Sequence, residues 1–274
     1  SFDHGVIIVA IGGIEYEPTE YLYGESDKVI TQRTLEKRLE TGNGPKAGEK
    51  YIMIQCVGSR EEPNNYCSRI CCQDAVKNAI AIKENAPDAQ VIILYRDIRT
   101  YGLREDYYKK ARDLGVIFMR FVPERRPEIE VSGDRLRVKA FEYLLNRDVK
   151  MEADWLVLSS GFRPHPTTEQ VGKLYKLTRN PDGYLMEAHV KLRPVDFPSE
   201  GIFLCGLTHA PKNLDETISQ ALAAAGRAGV ILSHDKLTVS GIISKHNRDI
   251  CMSCLSCLRL CPFGSPYIDE EGRV

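Results

Sequence analysis

The sequence predicts an α/β fold built around a parallel β-sheet, and two observations lead to this prediction. Apolar runs of strand length recur at residues 51–57, 91–95 and 116–121. Between them, apolar residues at helical spacing predict helices at 74–84 and 107–114. Strands and helices that alternate in this order form parallel sheets, with the helices packed on the sheet faces.

Further elements are predicted on either side of this alternating region. Residues 5–12 predict a strand buried on both faces that runs into a glycine turn. Residues 154–159 predict a second buried strand, and residues 202–205 a short third one. Residues 216–232 predict a long helix that is rich in alanine. These elements need a sheet of their own or a place in the first one.

The chain is expected to cross between domains more than once. The run Gly42-Asn43-Gly44-Pro45 is a strong breaker and predicts a domain crossing. An antiparallel hairpin predicted from residues 135–143 and 149–152 closes the alternating region. The predicted segments are 1–45, 46–152, 153–236 and a short, polar, cysteine-rich tail at 237–274.

The composition argues against two classes of function. The 274 residues are 43% hydrophobic, which is enough for a sizeable core. The formal net charge is -1 at pH 7, so no basic excess points to nucleic acid. The longest apolar runs are strand-sized, so no membrane span is predicted, and no signal peptide opens the chain. We therefore expect a cytoplasmic protein.

The chain contains nine cysteines, and their pattern predicts metal binding. The count is odd, and the Cys-Cys and Cys-x2-Cys spacings suit separate disulfides poorly. In an intracellular protein such clustering is more typical of a metal site. The cysteines stand at Cys56, Cys67, Cys71, Cys72, Cys205, Cys251, Cys254, Cys257 and Cys261.

The most specific motif is Cys251-x2-Cys254-x2-Cys257-x3-Cys261-Pro262. This is the spacing of bacterial ferredoxins, whose closely spaced thiolates wrap a [4Fe–4S] cluster. The fourth cysteine of such a run ligates the other cluster in two-cluster ferredoxins, and the sequence contains no second run. Three outcomes stay open: Cys261 closes the same cluster, a partner or missing segment supplies a ligand, or the run is empty. A zinc knuckle is the alternative, although tetrahedral zinc favours two separated cysteine pairs.

A second cysteine set follows the predicted strand at residues 51–57. Cys56 ends that strand, and Cys67, Cys71 and Cys72 precede the next helix. The turn between a first strand and its helix usually carries a G-x-G-x-x-G loop that binds phosphate. Here the turn has thiols instead, and amides at the helix N-terminus would stabilise thiolates. A metal site is predicted, with buried structural cysteines or a redox disulfide as alternatives.

A distinctive pattern surrounds these cysteines. It comprises Cys56-Val57-Gly58-Ser59-Arg60, then Tyr66-Cys67-Ser68-Arg69-Ile70-Cys71-Cys72. It also includes Phe2-Asp3-His4-Gly5-Val6-Ile7-Ile8-Val9-Ala10 and Glu15-Tyr16-Glu17-Pro18. The pattern resembles the family of A-type subunits of heterodisulfide reductase, its iron–sulfur flavoprotein subunits, with the related subunits of quinone-interacting and sulfur-oxidising complexes. The resemblance extends over almost the whole chain.

The resemblance implies a fold and a set of cofactors. Members are flavoproteins with a thioredoxin-reductase-like core of two dinucleotide-binding domains, and they carry several [4Fe–4S] clusters. It implies that residues 1–45 and 153–236 belong to an FAD-binding domain. Residues 46–152 would form an NAD(P)-type Rossmann domain, and residues 237–274 a partial ferredoxin-like segment. Cys56, Cys67, Cys71 and Cys72 would ligate one cluster where thioredoxin reductases bind NADPH.

Five residues correspond to flavin-contacting positions of such reductases, and one of them, Leu207, differs from the reductase residue. Gly12 ends the first strand, and Gly206 ends the final one, with Leu207 where the reductases have an aspartate. Gln220 and Ala221 would lie at the start of the helix that contacts the isoalloxazine. The family's strand, G-x-G-x-x-G loop and helix that bind the FAD pyrophosphate have no counterpart in the sequence. The expectation is that the chain is a fragment, or that another polypeptide completes the fold.

Three isolated side chains near these elements are also candidates. Cys205 has no partner nearby in the sequence and is interpreted as a small buried hydrophobe. His165 and His209 lie in predicted loops beside the flavin strands. Either could donate a proton to flavin, but a solvated loop histidine is the favoured interpretation for both.

The resemblance implies an electron-transfer subunit that relays electrons between FAD and [4Fe–4S] clusters to partner subunits. The whole complex would reduce the heterodisulfide of coenzymes M and B in methanogenesis, or a related sulfur substrate. Partners would be the other subunits and hydrogenase or ferredoxin-type electron donors and acceptors. No catalytic residue is assigned. Two rivals stay open: an NAD(P)H-dependent disulfide oxidoreductase, and a zinc-stabilised scaffold without electron transfer.

Overall fold

The computed structural model describes residues 3–42, 44–236, 244–261, 264–272 and 274. The chain divides into two compact units. Ile14–Arg163 form the continuous unit, and Ser1–Gly13 with Pro164–Val274 form the discontinuous unit. Across the described part of the chain, no helix combines the length and the apolar character needed to cross a membrane. Phe2, Asn43 and Pro262 of the sequence motifs, and the predicted boundary at residue 237, lie outside the described residues.

The described residues form short strands and a few helices. The strands are β1 (Ile7–Val9), β2 (Gly13–Glu15), β3 (Val29–Thr31), β4 (Lys50–Val57), β5 (Gln90–Tyr95), β6 (Ile117–Arg120), β7 (Glu128–Ser132), β8 (Arg135–Glu142), β9 (Arg147–Ala153), β10 (Trp155–Ser160), β11 (Phe162–Pro164) and β12 (Ile202–Leu204). The helices are α1 (Gln32–Glu40), α2 (Cys71–Asn85), α3 (Glu105–Asp113), α4 (Thr168–Tyr175), α5 (Leu214–Leu232) and α6 (Ser256–Leu260). Short 3-10 turns occur at Gly102–Arg104, Gly206–Thr208 and Arg248–Ile250.

A five-stranded parallel sheet organises the continuous unit, in the order β3-β10-β4-β5-β6. Every residue of β4 after Lys50 is buried, because β4 lies between two neighbouring strands and is covered on both faces. Ile52 pairs with Leu156 of β10 on one side and with Ile92 of β5 on the other. This confirms the predicted α/β fold with a parallel sheet.

The two faces of this sheet bury different layers. Alternate side chains of a strand point to opposite faces. Tyr51 and Met53 therefore belong to the core under α2, together with Val76 and Ala79 of that helix. Ile52 and Ile54 belong to the opposite core, together with Leu136 and Val138 from β8 among others. The covering layer on that side is a three-stranded antiparallel sheet, β7-β8-β9, which adds β7 to the predicted hairpin.

The discontinuous unit is built on a parallel pair, β1 and β12, with Ile7 opposite Ile202 and Val9 opposite Leu204. Ala224 and Ala228 of α5 pack in one core with Phe203 of β12. Small side chains allow this close approach of helix and strand. Ile8 is 41% exposed, so the prediction that the first strand is buried on both faces is wrong for the described residues.

The compact units differ from the predicted segments in their boundaries. The crossings lie at Gly13/Ile14 and Arg163/Pro164, whereas the predicted segments change at 45/46, after the glycine–proline breaker, and at 152/153. The physical reason is that β3 pairs with β10 in the large sheet, and α1 packs on α2. A glycine–proline run marks a turn in the chain, and here that turn lies inside one unit. The assignment of the units as FAD-type and NAD(P)-type stays a prediction.

The layered core of the continuous unit gives a test. Ile54 is fully buried in β4, whereas Ile117 of edge strand β6 is 57% exposed. We expect Ile54→Ala to lower the free energy of unfolding by about 2–5 kcal/mol, and Ile117→Ala by less than about 1 kcal/mol. Trp155 is the chain's one tryptophan and lies in this unit, so its fluorescence in urea reports on this unit. Equal losses would contradict the layer assignment.

Candidate metal and flavin sites

The cysteine loop, residues 56–72, connects β4 to α2 in the continuous unit. It leaves the sheet at the carboxyl end of β4, beside the carboxyl end of its parallel neighbour β10. The chain continues from β4 to β5 and β6 on one side, while β10 lies on the other. This is a topological switch point, where open α/β sheets bind their ligands.

The structure brings the four predicted cysteines of this loop together. Their thiols lie within electrostatic reach of one another, since Cys71 interacts with each of the other three and Cys56 with Cys72. Cys56, Cys71 and Cys72 are each at most 5% exposed, and Cys67 is half-buried. Helix α2 begins at Cys71, three residues before the predicted start, so two of the thiols belong to its first turn. The positive end of the α2 dipole therefore lies at the thiols and favours thiolates.

Hydrogen-bond donors already lie beside these sulfurs. The Arg69 backbone N–H donates to Cys67 Sγ at 3.3 Å. A guanidinium nitrogen of Arg60 donates to Cys56 Sγ at 3.9 Å. The Cys72 thiol donates to the Asp97 carbonyl oxygen at 3.6 Å. The contacts from Arg60 and Arg69 donate to sulfur, so they stabilise thiolates and tune centres that thiolates hold, whereas the Cys72 contact requires a protonated thiol.

The thiols have divergent proton affinities. Burial raises the pKa of Cys56 to about 11. The hydrogen bond between neighbouring thiols holds the pKa of Cys72 down at about 7 and raises that of Cys71 well above its usual value. Cys71 therefore donates its proton toward the Cys72 sulfur. Because metals bind thiolates, loading this loop with a metal centre releases protons.

The loop backbone is unusually bent. Cys56, Gly58, Arg60 and Arg69 all have positive φ, between 60° and 66°. A left-handed backbone costs a non-glycine residue about 1–2 kcal/mol. Residues of this kind cluster where surrounding structure enforces a functional shape. Here the bends turn the backbone so that four thiols converge from one loop and one helix end.

Contacts to the end of β10 hold this shape. The Phe162 N–H donates to Ser68 Oγ at 2.8 Å, and the Tyr66 hydroxyl donates to the Phe162 carbonyl at 2.7 Å. Gly161 lies so close to the loop that an added Cβ would be 3.0 Å from Cβ of Ser59. Ser68 is fully buried. Two side chains of the cysteine pattern, Tyr66 and Ser68, thus attach the loop to the backbone of Phe162, just after β10.

The donor set of this loop fits an iron–sulfur cluster. Four soft thiolate ligands, a buried setting and hydrogen bonds to sulfur are the features that such clusters need. Within the described ranges, no three His, Cys, Asp or Glu side chains form a group that could hold a metal ion.

The ferredoxin-like run has a different environment. Cys254 and Cys257 are exposed, and Cys251 and Cys261 are half-buried. Cys257 lies in the short helix α6. The pKa of the Cys254 thiol is lowered by the Ser256 hydroxyl and by nearby backbone amides. Ser253 and Leu255 have positive φ, which gives the tight turns of this run. The structure does not bring these four thiols into one metal-binding group among the described residues.

The predicted flavin residues lie at the carboxyl ends of β1 and β12 in the discontinuous unit. Gly12 has a φ of +75°, and its N–H donates to Thr208 Oγ1 at 3.0 Å. Gly206 has a φ of +73°, and its N–H donates to the Gln220 side chain at 2.8 Å. Leu207 is half-buried beside them. The two glycines therefore share one edge of the strand pair.

The predicted position of Gln220 and Ala221 at a helix start is wrong. Helix α5 begins at Leu214, where Asn213 and Glu216 form a capping box. Gln220 and Ala221 thus lie in the second turn, and their backbone amides are not those of the helix end. Gln220 acts instead through its side chain, which accepts a hydrogen bond from Gly206 and contacts His209 Nδ1 at 3.0 Å. Ala221 is exposed.

His209 is not a solvated loop histidine. Its Nε2 lies 2.8 Å from Glu187 Oε2, and its Nδ1 meets Gln220. Lys212, which is buried, donates to the Gly206 carbonyl at 2.6 Å and lies 3.5 Å from His209 Nδ1. Burial lowers the pKa of His209, the Lys212 charge lowers it further, and Glu187 opposes both. His165, by contrast, bonds to Thr167 in its own loop. Cys205 is buried, as predicted.

Curated relatives match the chain over nearly all of its length. It is 38% identical over 289 residues to the A-type iron-sulfur subunit, form 2, of the CoB–CoM heterodisulfide reductase of Methanopyrus kandleri, over 98% of this chain and 44% of the relative. It is 37% identical over 283 residues to the A-type subunit of the H2:CoB-CoM heterodisulfide,ferredoxin reductase of Methanothermobacter thermautotrophicus, over 97% and 43%. The chain spans less than half the length of these relatives. They confirm the resemblance carried by the cysteine pattern.

Comparison with solved structures agrees on the fold. Thioredoxin reductase of T. acidophilum aligns with a TM-score of 0.52 at 14% identity, over 83% of this chain and 64% of that one. At this identity the likeness concerns the fold, and it confirms a thioredoxin-reductase-like architecture. No protein-family model matches the chain.

Sequence reasoning missed several residues of both sites. Asp97, Ser68 and Phe162 support the cysteine loop, and Glu187 and Lys212 surround His209. Ser68 lies inside the family pattern, which was the one available signal. The others are far from their partners in sequence and carry no local pattern.

Gly58 gives a test of the loop's packing. An added Cβ would lie 2.2 Å from Cδ1 of the Tyr16 ring, whereas at Gly102, with a similar φ of +64°, it would meet nothing within 4 Å. We expect Gly102→Ala to lower the free energy of unfolding by about 1 kcal/mol through backbone strain alone. Gly58→Ala should cost about 2–4 kcal/mol, because the clash adds to the strain. Trp155 fluorescence in urea measures both, and similar losses would show that Tyr16 moves aside freely.

The His209 environment predicts a pH dependence of stability. Because its pKa is lowered in the folded chain, the unfolded chain binds more protons below the ordinary histidine value of about 6.5. Its stabilising contribution is therefore complete above about pH 6.5 and is lost as the pH falls toward the folded-state pKa. Each unit of difference corresponds to about 1.4 kcal/mol. We expect His209→Gln to flatten the rise of the unfolding free energy with pH, and Glu187→Gln to steepen that rise.

The measurement is urea unfolding of the chain followed by circular dichroism between about pH 5 and pH 7.5. The Trp155 signal separates unfolding of the continuous unit from that of the unit that contains His209. A wild-type slope in His209→Gln would contradict the role of this imidazole.

Proposed function

Because the chain is homologous to part of the A-type subunits of heterodisulfide reductase, we propose that it is an iron–sulfur electron-transfer part of a heterodisulfide reductase-type oxidoreductase. The observation that carries this proposal is the gathering of four thiols in a buried loop at the switch point of the sheet. Thiols that are buried at such a point are suited to holding a redox centre.

In this proposal the cysteine loop holds a [4Fe–4S] cluster on Cys56, Cys67, Cys71 and Cys72. The ferredoxin-like run holds a second one on Cys251, Cys254, Cys257 and Cys261. Such clusters supply one-electron transfer at a potential set by hydrogen bonds and burial. The residues of the loop contribute the rest: Ser68 and Tyr66 fix its backbone, and burial of three of the thiols excludes water.

The discontinuous unit is proposed to take part in binding FAD through Gly12, Gly206, Leu207, Gln220 and Ala221. Gly12 offers an open backbone, since an added Cβ would meet nothing within 4 Å. Gln220 fixes the Gly206 turn by accepting its N–H. Helix α5 turns a wide apolar face to solvent, including Ile218, Leu222 and Val230. We propose that a dinucleotide-binding segment with a glycine loop covers this face and completes the FAD domain.

An NAD(P)H-dependent disulfide oxidoreductase is disfavoured by the geometry of the same turn. In dinucleotide-binding folds, the pyrophosphate approaches glycine backbone between the first strand and helix. Here the Tyr16 ring covers Gly58, and thiols occupy the rest of the turn. The loop that would bind a nucleotide is filled by the chain itself.

The partners follow from the family. Electrons would arrive from or leave to other subunits and hydrogenase or ferredoxin-type proteins. The heterodisulfide of coenzymes M and B would react on another subunit, because no Cys-x-x-Cys pair accompanies the proposed flavin residues in the sequence. We place the complex in the cytoplasm on the basis of its thiol chemistry.

Metal analysis of the full chain, purified without oxygen, tests this proposal. Iron, acid-labile sulfide, zinc and flavin are measured per chain in the wild type, Cys67→Ala, Cys257→Ala and Cys205→Ala. Two clusters require about eight irons with matching sulfide. We expect the first two variants each to lose about four irons. Cys205→Ala is the control, because Cys205 belongs to neither set.

The possible outcomes separate the parts of the proposal. Zinc without iron or sulfide would refute it and support a scaffold. If the iron content per chain falls in Cys67→Ala but not in Cys257→Ala, the cysteine loop holds a cluster and the ferredoxin-like run does not. Flavin on the chain alone would contradict the need for a completing segment.

A further inference from the structure

Arg60 occupies a special position in the cysteine loop. One guanidinium nitrogen lies 3.9 Å from Cys56 Sγ, and another lies 2.6 Å from Asp97 Oδ2. Its backbone is fixed as well, since its N–H donates to the Tyr66 carbonyl and its carbonyl accepts from Arg96. The side chain is 19% exposed. A positive charge is therefore held against a sulfur of the proposed centre.

Asp97, the ion-pair partner of Arg60, also contacts a second sulfur, that of Cys72. It follows β5, the strand next to β4, and its carbonyl oxygen accepts from the Cys72 thiol at 3.6 Å. Its carboxylate, which is 47% exposed, faces Arg60. One residue thus contacts the site through its backbone and balances the charge of Arg60 through its side chain.

A structural role alone explains this arrangement poorly. An ion pair whose carboxylate is half in water adds little to stability. The pair is, however, asymmetric: its cation is turned toward the buried sulfurs, and its anion toward solvent. Charges on the protein side of a cluster change its potential more than charges in water do.

From this geometry we infer that the Arg60–Asp97 pair sets the reduction potential of the centre on the cysteine loop. The inference rests on the proposed function, since it requires a redox centre on these thiols. Reduction adds one electron and makes the centre more negative. Arg60 stabilises the reduced form and raises the potential, and Asp97 reduces this effect by partly neutralising Arg60.

The two members of the pair should therefore act in opposite directions. Arg60→Gln removes the cation and leaves the Asp97 charge, so the potential falls. Asp97→Asn leaves the Arg60 charge unbalanced, so the potential rises. Arg60→Lys keeps the charge and should remain near the wild type. We expect the equilibrium constant for reduction to change by about tenfold in the first two variants, which is about 59 mV for one electron.

The test is a redox titration of the full chain with dithionite, followed by electron paramagnetic resonance of the reduced cluster. A Cys257→Ala background removes the contribution of the ferredoxin-like run. Arg135→Gln is the matched control, because Arg135 is half-exposed on the three-stranded sheet and pairs with Glu152 and Asp154. It carries the same charge change away from the thiols and should leave the potential unchanged.

The outcomes distinguish this inference from the proposed function. An unmutated chain with neither iron nor a cluster signal refutes the proposed function itself. A cluster whose potential is the same in Arg60→Gln and Arg135→Gln overturns the inference. If Arg60→Gln fails to retain iron, Asp97→Asn decides: a rise in potential supports the inference, and an unchanged potential overturns it.

Discussion

The structure of the continuous unit depends on one constraint, the burial of three thiols at the carboxyl edge of a parallel sheet. Buried sulfur that is to carry negative charge needs donors and a helix N-terminus, because desolvation disfavours the thiolate. The loop meets this need by bending through left-handed residues, by the Arg60 contact to Cys56, and by starting α2 at Cys71. The close pairing of β4 with β10 makes this possible, since Gly161 and Phe162 follow β10 and clamp the loop through Ser68.

The same constraint explains how an α/β sheet can change its ligand without changing its architecture. The switch point between β4 and β10 is an electrostatically favourable place for any anionic group, whether a pyrophosphate or a thiolate set. The Tyr16 ring lies against Gly58, so it blocks the access to the glycine backbone that a nucleotide's pyrophosphate requires. In the proposed function, the choice between a nucleotide and a thiolate-held centre would therefore depend on a few side chains in one turn, while the buried β-branched residues of the sheet serve the fold.

The local patterns of the sequence were sufficient for the sheet and the cysteine sets. Buried strands such as residues 51–57 are evident from their apolar runs, and the cysteine spacing needs no structure to be noticed. Contacts between distant residues were not accessible: Arg60 meets Asp97 across 37 positions, and His209 meets Glu187 across 22. The compact units differ from the predicted segments for the same reason, because only the pairing of β3 with β10 shows that residues 29–31 belong to the large sheet. Because Asn213 caps α5, the helix begins at Leu214 rather than at the predicted residue 216, and Gln220 lies inside the helix rather than at its start.

The two cysteine sets differ in what organises them. In the loop, the fold itself gathers the thiols, so the proposed centre would bind to a largely prepared site, and its binding free energy would contribute mainly to affinity. In the ferredoxin-like run, two thiols are exposed on a short helix and a turn, and few buried contacts fix their directions. For such a segment, the free energy of binding a metal centre is also folding free energy, so the proposed centre would order its own ligands. In the proposed function, charges in the chain would thus tune the centre in the loop, whereas occupancy of the run would depend on the groups that complete its ligand shell.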